Sequence, residues 1–314
     1  MRKALFVLLS LLCAGALAQN FPSKRVSFVS GVTPGSASDT MARILAEKLQ
    51  AKWGQPVIVE NRLGAGGLVG AKYVAQSEPD GHLIMMYASA FTVSTLLSPE
   101  VLDPKEMQAV ATVATIPTVL VTQPGKYKTI KDFVGSAKAA PDKLACATAG
   151  VGSATHMALE RFRFAAGFEV LPVHTKGASE ALTEVISGRA ECYFALVFQA
   201  QKMRDSGKVG ALVVSAPKRT SLMPELPTTE EAGYPNSAYN FWVGALVPAK
   251  TPKEIVDRLH KEITSLVQSP EISERIRKLG ADPLVMSVAE FDAMIQRELV
   301  ENARLIKAAG IKAN

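Results

Sequence analysis

Ten short apolar runs alternate with helical patterns from residue 25 to residue 308, and this alternation limits the folds open to the chain. The strand-like runs are 25–30, 56–60, 82–88, 107–115, 118–122, 143–148, 169–173, 190–196, 209–215 and 241–247. The helical patterns are 38–51, 66–77, 129–139, 154–166, 178–187, 198–206, 252–267, 271–279 and 288–308. Strand, helix, strand in that order predicts an α/β protein with parallel-rich sheets covered on both faces. In such sheets ligands sit beyond the carboxyl ends of the strands, where the helices begin.

Two strand-to-helix turns at such ends carry the same signature. The first is Gly31-Val32-Thr33-Pro34-Gly35-Ser36-Ala37-Ser38-Asp39, after the run Val26–Ser30. The second is Ala147-Thr148-Ala149-Gly150-Val151-Gly152-Ser153-Ala154-Thr155-His156, after the strand-like run 143–147. Both are rich in Gly and Ser, and neither contains Lys or Arg. The first turn of a helix has unpaired N–H groups and the positive end of the helix dipole, so each turn can seat a carboxylate or phosphate. Ser36, Ser38 and Asp39 are all good N-cap residues, so one of them should cap the first helix. Ser89 and Thr92 end a third strand-like run and are candidates to join the site.

Other chemistries are less well supported. Ser153, His156 and Asp39 are the residue types of a hydrolytic triad, but Ser153 lacks the G-x-S-x-G elbow and nothing orients His156 as a base. The four His have no metal spacing. Gly64-Ala65-Gly66-Gly67-Leu68-Val69-Gly70 lacks both the third dinucleotide-site glycine and the Lys-Ser/Thr of a phosphate loop. It reads as a tight turn with close helix packing. Binding rather than catalysis is expected, with no ATP, metal or redox cofactor.

Residues 1–18 read as a signal peptide. Arg2 and Lys3 precede an apolar stretch, and Ala16-Leu17-Ala18 fits cleavage after Ala18. No later stretch supplies the ~18 apolar residues of a membrane span. Losing Arg2 and Lys3 takes the formal charge from +6 to +4, with no dense basic run, so nucleic acid is not an expected partner. Cys146 and Cys192 remain, both in strand-like runs. They read as two buried free thiols, although export permits a bond between them.

These residues together resemble the Bug-type extracytoplasmic receptors of tripartite tricarboxylate transporters, over nearly the whole chain after residue 18. The resemblance is carried by Phe21-Pro22-Ser23-Lys24, Gly35–Asp39 with Ala42-Arg43, and Val59-Glu60-Asn61-Arg62 before the 64–67 glycines. It continues through Pro79-Asp80-Gly81, Gly150-x-Gly152-Ser153-x-Thr155-His156, Lys176-Gly177, and Glu230-Glu231-Ala232-Gly233 before Trp242. It implies a two-lobed, type II-like periplasmic binding fold with a two-strand hinge. Lobe I would be 19–117 plus 244–314, and lobe II 118–243. The implied protein is a periplasmic monomer that closes over a small organic carboxylate and hands it to integral-membrane permease subunits. A ligand-presenting sensor, or a receptor for an aromatic acid, stays open.

Carried over by position, Val32, Gly35, Ser36, Ser38, Asp39, Ser89, Ser153, Thr155 and His156 would line the cleft, with Asp39 capping its helix rather than touching an anion. Three departures bear on the ligand. Gly35-Ser36 replaces the family's usual Gly-Gly, Val32 replaces an aromatic, and Ala195 replaces an acidic residue found in many members. Without that acid, plain carboxylates are expected over amino acids.

Overall fold

The computed structural model describes residues 21–141 and 143–312. The signal-peptide reading of 1–18 and the cleavage after Ala18 lie outside the described residues.

The chain divides into two compact units. One gathers the described residues through Ala114 with Val243–Ser273 and Pro283–Glu298. The other gathers Thr115–Trp242, Glu274–Asp282 and Leu299 onward. The expected lobe I took in all of 244–314, so two C-terminal segments fall differently. Their side chains show why. Asn302 accepts a hydrogen bond from the Arg161 guanidinium (3.2 Å), and Asp282 accepts one from the Ser221 hydroxyl (3.1 Å).

The first unit holds a six-stranded sheet. In chain order its strands are β1 (Val26–Ser30), β2 (Val57–Asn61), β3 (Leu83–Ala88), β4 (Met107–Thr115), β10 (Trp242–Pro248) and β11 (Asp282–Pro283). Their spatial order is β11-β4-β10-β3-β1-β2. β1 runs parallel to β2 and β3, and all five of its residues are buried, as expected of a strand covered on both faces. Helices α1 (Ala37–Trp53), α2 (Leu68–Ala75), α3 (Ala90–Leu97) and α8 (Lys253–Gln268) belong to this unit. In α1, Met41, Leu45 and Leu49 recur every fourth residue and are fully buried, as are Phe28 and Val29 of β1.

The second unit holds a five-stranded sheet. Its strands are β5 (Thr118–Thr122), β6 (Ala145–Thr148), β7 (Leu171–His174), β8 (Cys192–Leu196) and β9 (Gly210–Ser215), in the order β7-β6-β8-β5-β9. Around it are α4 (Ile130–Ala139), α5 (Ala154–Ala166), α6 (Ala178–Ile186) and α7 (Val197–Asp205). Phe162 of α5 meets Phe168, Phe194 and Tyr234 edge-on, with centroids 5.3–5.8 Å apart. Helices α9 (Pro270–Lys278) and α10 (Val288–Ala309) complete the chain.

Parallel pairing is not uniform. β10 runs antiparallel to β3, and β5 runs antiparallel to both β8 and β9. β5 and β10 are the strands near the points where the chain passes from one unit to the other, and neither is reached by a βα crossover within its own sheet. α3 was not among the expected helices. Four of its residues, Phe91, Thr92, Val93 and Thr95, are aromatic or β-branched and favour extended backbone locally, so the helix here overrides local propensity.

The two cysteines are bonded. Cys146 and Cys192 face each other in the register of the parallel pair β6–β8 and form a disulfide, which corrects the expectation of two free thiols. Both are fully buried, as expected, but adjacent strands bring them within bonding reach.

Candidate functional site

The first-unit turn leaves β1 at Ser30 and enters α1 at Ala37. Gly31 is required by close approach, since a Cβ there would lie 2.4 Å from the Gly67 Cα. The 64–67 glycines therefore serve as a tight turn packed beneath this one, and Tyr87 ties them down through a 2.6 Å hydrogen bond to the Gly66 carbonyl. Gly35 turns the chain with φ of +82°, a conformation that suits glycine.

Asp39, in the first turn of α1, is 1% exposed and organises this turn. Its Oδ2 accepts from the Gly35 N–H (2.8 Å) and from Arg43 Nε (2.9 Å). Its Oδ1 accepts from Arg43 Nη2 (3.0 Å) and Asn61 Nδ2 (2.8 Å). Asn61 also donates to the Val32 carbonyl (3.0 Å), so one amide holds both ends of the turn. Burial works against the charged carboxyl, but the bonds from Arg43, Gly35 and Asn61 outweigh it and hold its pKa below the ordinary value. Asp39 is therefore a brace.

Ser36 occupies the N-cap position with extended backbone, yet its hydroxyl makes no capping bond. That Oγ is buried and has no hydrogen-bond partner among the described residues. The expected cap is thus present in the backbone only, and its oxygen is left available. With Asp39 tied back to Gly35, the N–H groups of Ala37 and Ser38 stay free of intrahelical acceptors. Ser38 and Ser89 are buried, and Val32 is half-buried. The Ser89 hydroxyl makes no capping bond to α3.

The second-unit turn leaves β6 at Thr148 and enters α5 at Ala154. Ser153 caps α5, its Oγ accepting from the His156 N–H (3.2 Å) and lying 3.1 Å from Thr155 Oγ1. Thr155 Oγ1 accepts from the Ala149 N–H (2.9 Å). His156 Nδ1 accepts from the Gly152 N–H (3.0 Å), which leaves its proton on Nε2, 3.7 Å from the buried Glu160 carboxylate. Burial, with His174 and Arg163 nearby, pushes the His156 pKa down to about 4. Burial pushes the Glu160 pKa up, against the opposing pull of Arg163. Ser153, Thr155 and His156 are thus gathered at one helix start. The side chains of Thr155 and His156 spend their bonding on the turn itself, and the N–H groups of Ala154 and Thr155 lack intrahelical acceptors.

Two supporting residues escaped the sequence reading of the site, Asn61 and His174, and Thr148 lay inside the second turn with no role assigned to it. Asn61 lay in a quoted sequence pattern, but its reach to Val32 depends on the β1–β2 register. Among the described residues no group of three or more His, Cys, Asp or Glu is gathered to hold a metal ion. No helix among them is long and apolar enough to cross a membrane.

Comparison with known proteins agrees with this architecture. The family described as "Tripartite tricarboxylate transporter family receptor" matches residues 41–311. Protein BugT of Bordetella pertussis is 28% identical over 98% of this chain and 96% of its own length. The solved structure of R. palustris Rpa4515 with adipate is 26% identical, with TM-score 0.77 over 93% of this chain and 99% of that one. MatC from Rhodopseudomonas palustris with bound malate is 26% identical, with TM-score 0.73 over 91% and 100%. The Rpa4515 and MatC structures share this chain's fold over nearly all of its length.

Proposed function

The chain belongs to the tripartite tricarboxylate transporter family of receptors, and we propose that it captures a small organic carboxylate and delivers it to a separate membrane permease of that transporter type. The observation that carries this reading is the pair of helix starts whose N–H donors are left open by neighbouring side chains. Asp39 turns inward to Gly35, and Ser153, Thr155 and His156 brace their own turn. Adipate and malate, seen with two structural relatives, are acids of this class. The reading places the protein in the periplasm as a monomeric binding protein without cofactor or catalytic step.

In this reading the ligand contacts are Val32, Gly35, Ser36, Ser38 and Ser89 of the first unit and Ser153, Thr155 and His156 of the second. Backbone N–H groups and the Ser36 hydroxyl do the binding. Each hydrogen bond to the carboxylate contributes roughly 1.5–3 kcal/mol. A ligand that favours the closed state differentially gives the permease a signal, and one without that preference gives none.

Thermal unfolding against a panel of mono-, di- and tricarboxylates, aromatic acids and amino acids tests the proposal. A ligand at 100 times its Kd adds about 2.7 kcal/mol, a rise of roughly 5–10 °C in Tm for units of this size. A carboxylate that raises Tm in this range supports the reading. A flat panel with protein freed of retained ligand, or a response to amino acids alone, contradicts it.

A further inference from the structure

His174 stands at the last position of β7, an edge strand whose four residues are all exposed. The β6–β7 register sets it directly beside Thr148, the residue from which the second donor turn departs. Thr148 Oγ1 accepts from the Gly150 N–H (3.3 Å) and lies 2.7 Å from His174 Nδ1. Which of the two donates follows the histidine tautomer. With the Thr148 hydroxyl donating, a relay runs from Gly150 N–H to Thr148 O–H to His174 Nδ1, and the ring proton lies on Nε2.

The ring is also fixed in position. It meets His156 edge-on at 4.6 Å, and His156 is itself held by Gly152 in the first turn of α5. Although the residue is exposed as a whole, partial desolvation of the ring lowers the His174 pKa and favours its neutral form. Its Nε2–H has no acceptor among the described residues. In that tautomer the ring is an oriented donor, packed against the helix start that offers the Ala154 and Thr155 N–H groups.

We infer that His174 is a ligand-contacting, specificity-determining residue whose Nε2–H binds a second oxygen of the captured acid. The ligand class is then a small acid carrying a further acceptor, such as a second carboxylate, a few ångströms from the first. This rests on the carboxylate-receptor reading and narrows it. His174 was not among the residues that the family resemblance brought to the site.

The test is calorimetric titration of the mature protein, freed of retained ligand, with butanoate against butanedioate and hexanoate against hexanedioate. Wild type, His174→Ala and His174→Gln are compared. Loss of one hydrogen bond to a charged oxygen lowers affinity about tenfold or more. The expected result is that His174→Ala loses this much for a diacid and stays within about twofold for the matched monoacid. His174→Gln, which keeps an N–H donor, recovers part of the loss. Equal losses for both acids, no loss for either, or no recovery by Gln would overturn the inference. Wild-type binding of monoacids alone overturns it and leaves the receptor reading standing. Binding of neither class overturns both.

Discussion

The turns at 31–39 and 149–156 share a signature of Gly and Ser at a helix start, but they are held by different chemistry. The first is braced by an ionic network, with one buried carboxylate taking bonds from Gly35, Arg43 and Asn61. The second is braced by neutral groups, the hydroxyls of Thr148, Ser153 and Thr155 and the imidazoles of His156 and His174. Ser36 leaves its hydroxyl unused, whereas Ser153 spends its own on the cap. The comparison teaches that a donor-rich turn is defined by what its own side chains do not consume. The first turn keeps a hydroxyl in hand; the second relies on backbone N–H groups and on neighbours such as His174.

This contrast can be broken at several strengths. The largest effect is expected at the disulfide, which anchors β6 just before the second turn. The bond links residues 46 apart, and its loss in a Cys146→Ser, Cys192→Ser double variant should cost about 4 kcal/mol by loop entropy. Denaturant unfolding measures it. The first turn, which belongs to the other unit, is untouched by this change.

Asp39→Ala is the matching blow to the first turn. It strips Gly35, Arg43 and Asn61 of their common acceptor. Arg43 is half-exposed and can turn to water, so the expected loss is ~2–3 kcal/mol rather than that of a fully buried pair. The affinity for carboxylate should fall with it, and titration beside unfolding separates the two.

Acid separates the turns without mutation. His156 titrates ordinarily near 6.5 and near 4 in the fold, so the unfolded chain takes up the proton first. Stability therefore falls as pH drops from about 6.5 to about 4, by an amount on the order of 2 kcal/mol. Glu160, with its raised pKa, works in the opposite direction. The difference between wild type and His156→Gln isolates the histidine. The Asp39 contribution is intact above 3.8 and is lost only as pH falls further, through its lowered pKa. Unfolding followed across this pH range should show the second turn failing first.

The smallest effects come from the two cap serines. Ser153→Ala should cost about 1 kcal/mol of stability, the usual worth of a cap. Ser36→Ala should cost little stability, because its hydroxyl caps nothing, and should lower carboxylate affinity instead. Paired unfolding and titration of the two variants would show whether their roles differ in this way.

Much of this architecture is legible in the sequence because it is local. The first strand and its helix follow from Val26–Ser30 and from the spacing of Met41, Leu45 and Leu49. The two donor turns follow from Gly, Ser and Pro at a strand-to-helix boundary. What escaped depends on strand order. Cys146 and Cys192 meet because β8 lies beside β6, although β7 comes between them in the chain. His174 reaches Thr148 across 26 residues for the same reason. Asn61 supports Val32 only because β2 pairs with β1. Helix α3 was hidden by its own β-branched residues.

The most direct measurement is a crystal structure of the mature protein with a bound dicarboxylate. The account predicts carboxylate oxygens within hydrogen-bond reach of the Ser36 hydroxyl, of the Ala37 or Ser38 N–H groups, and of the Ala154 or Thr155 N–H groups. An acid bound away from both turns, or held by Lys and Arg side chains in their place, would contradict it.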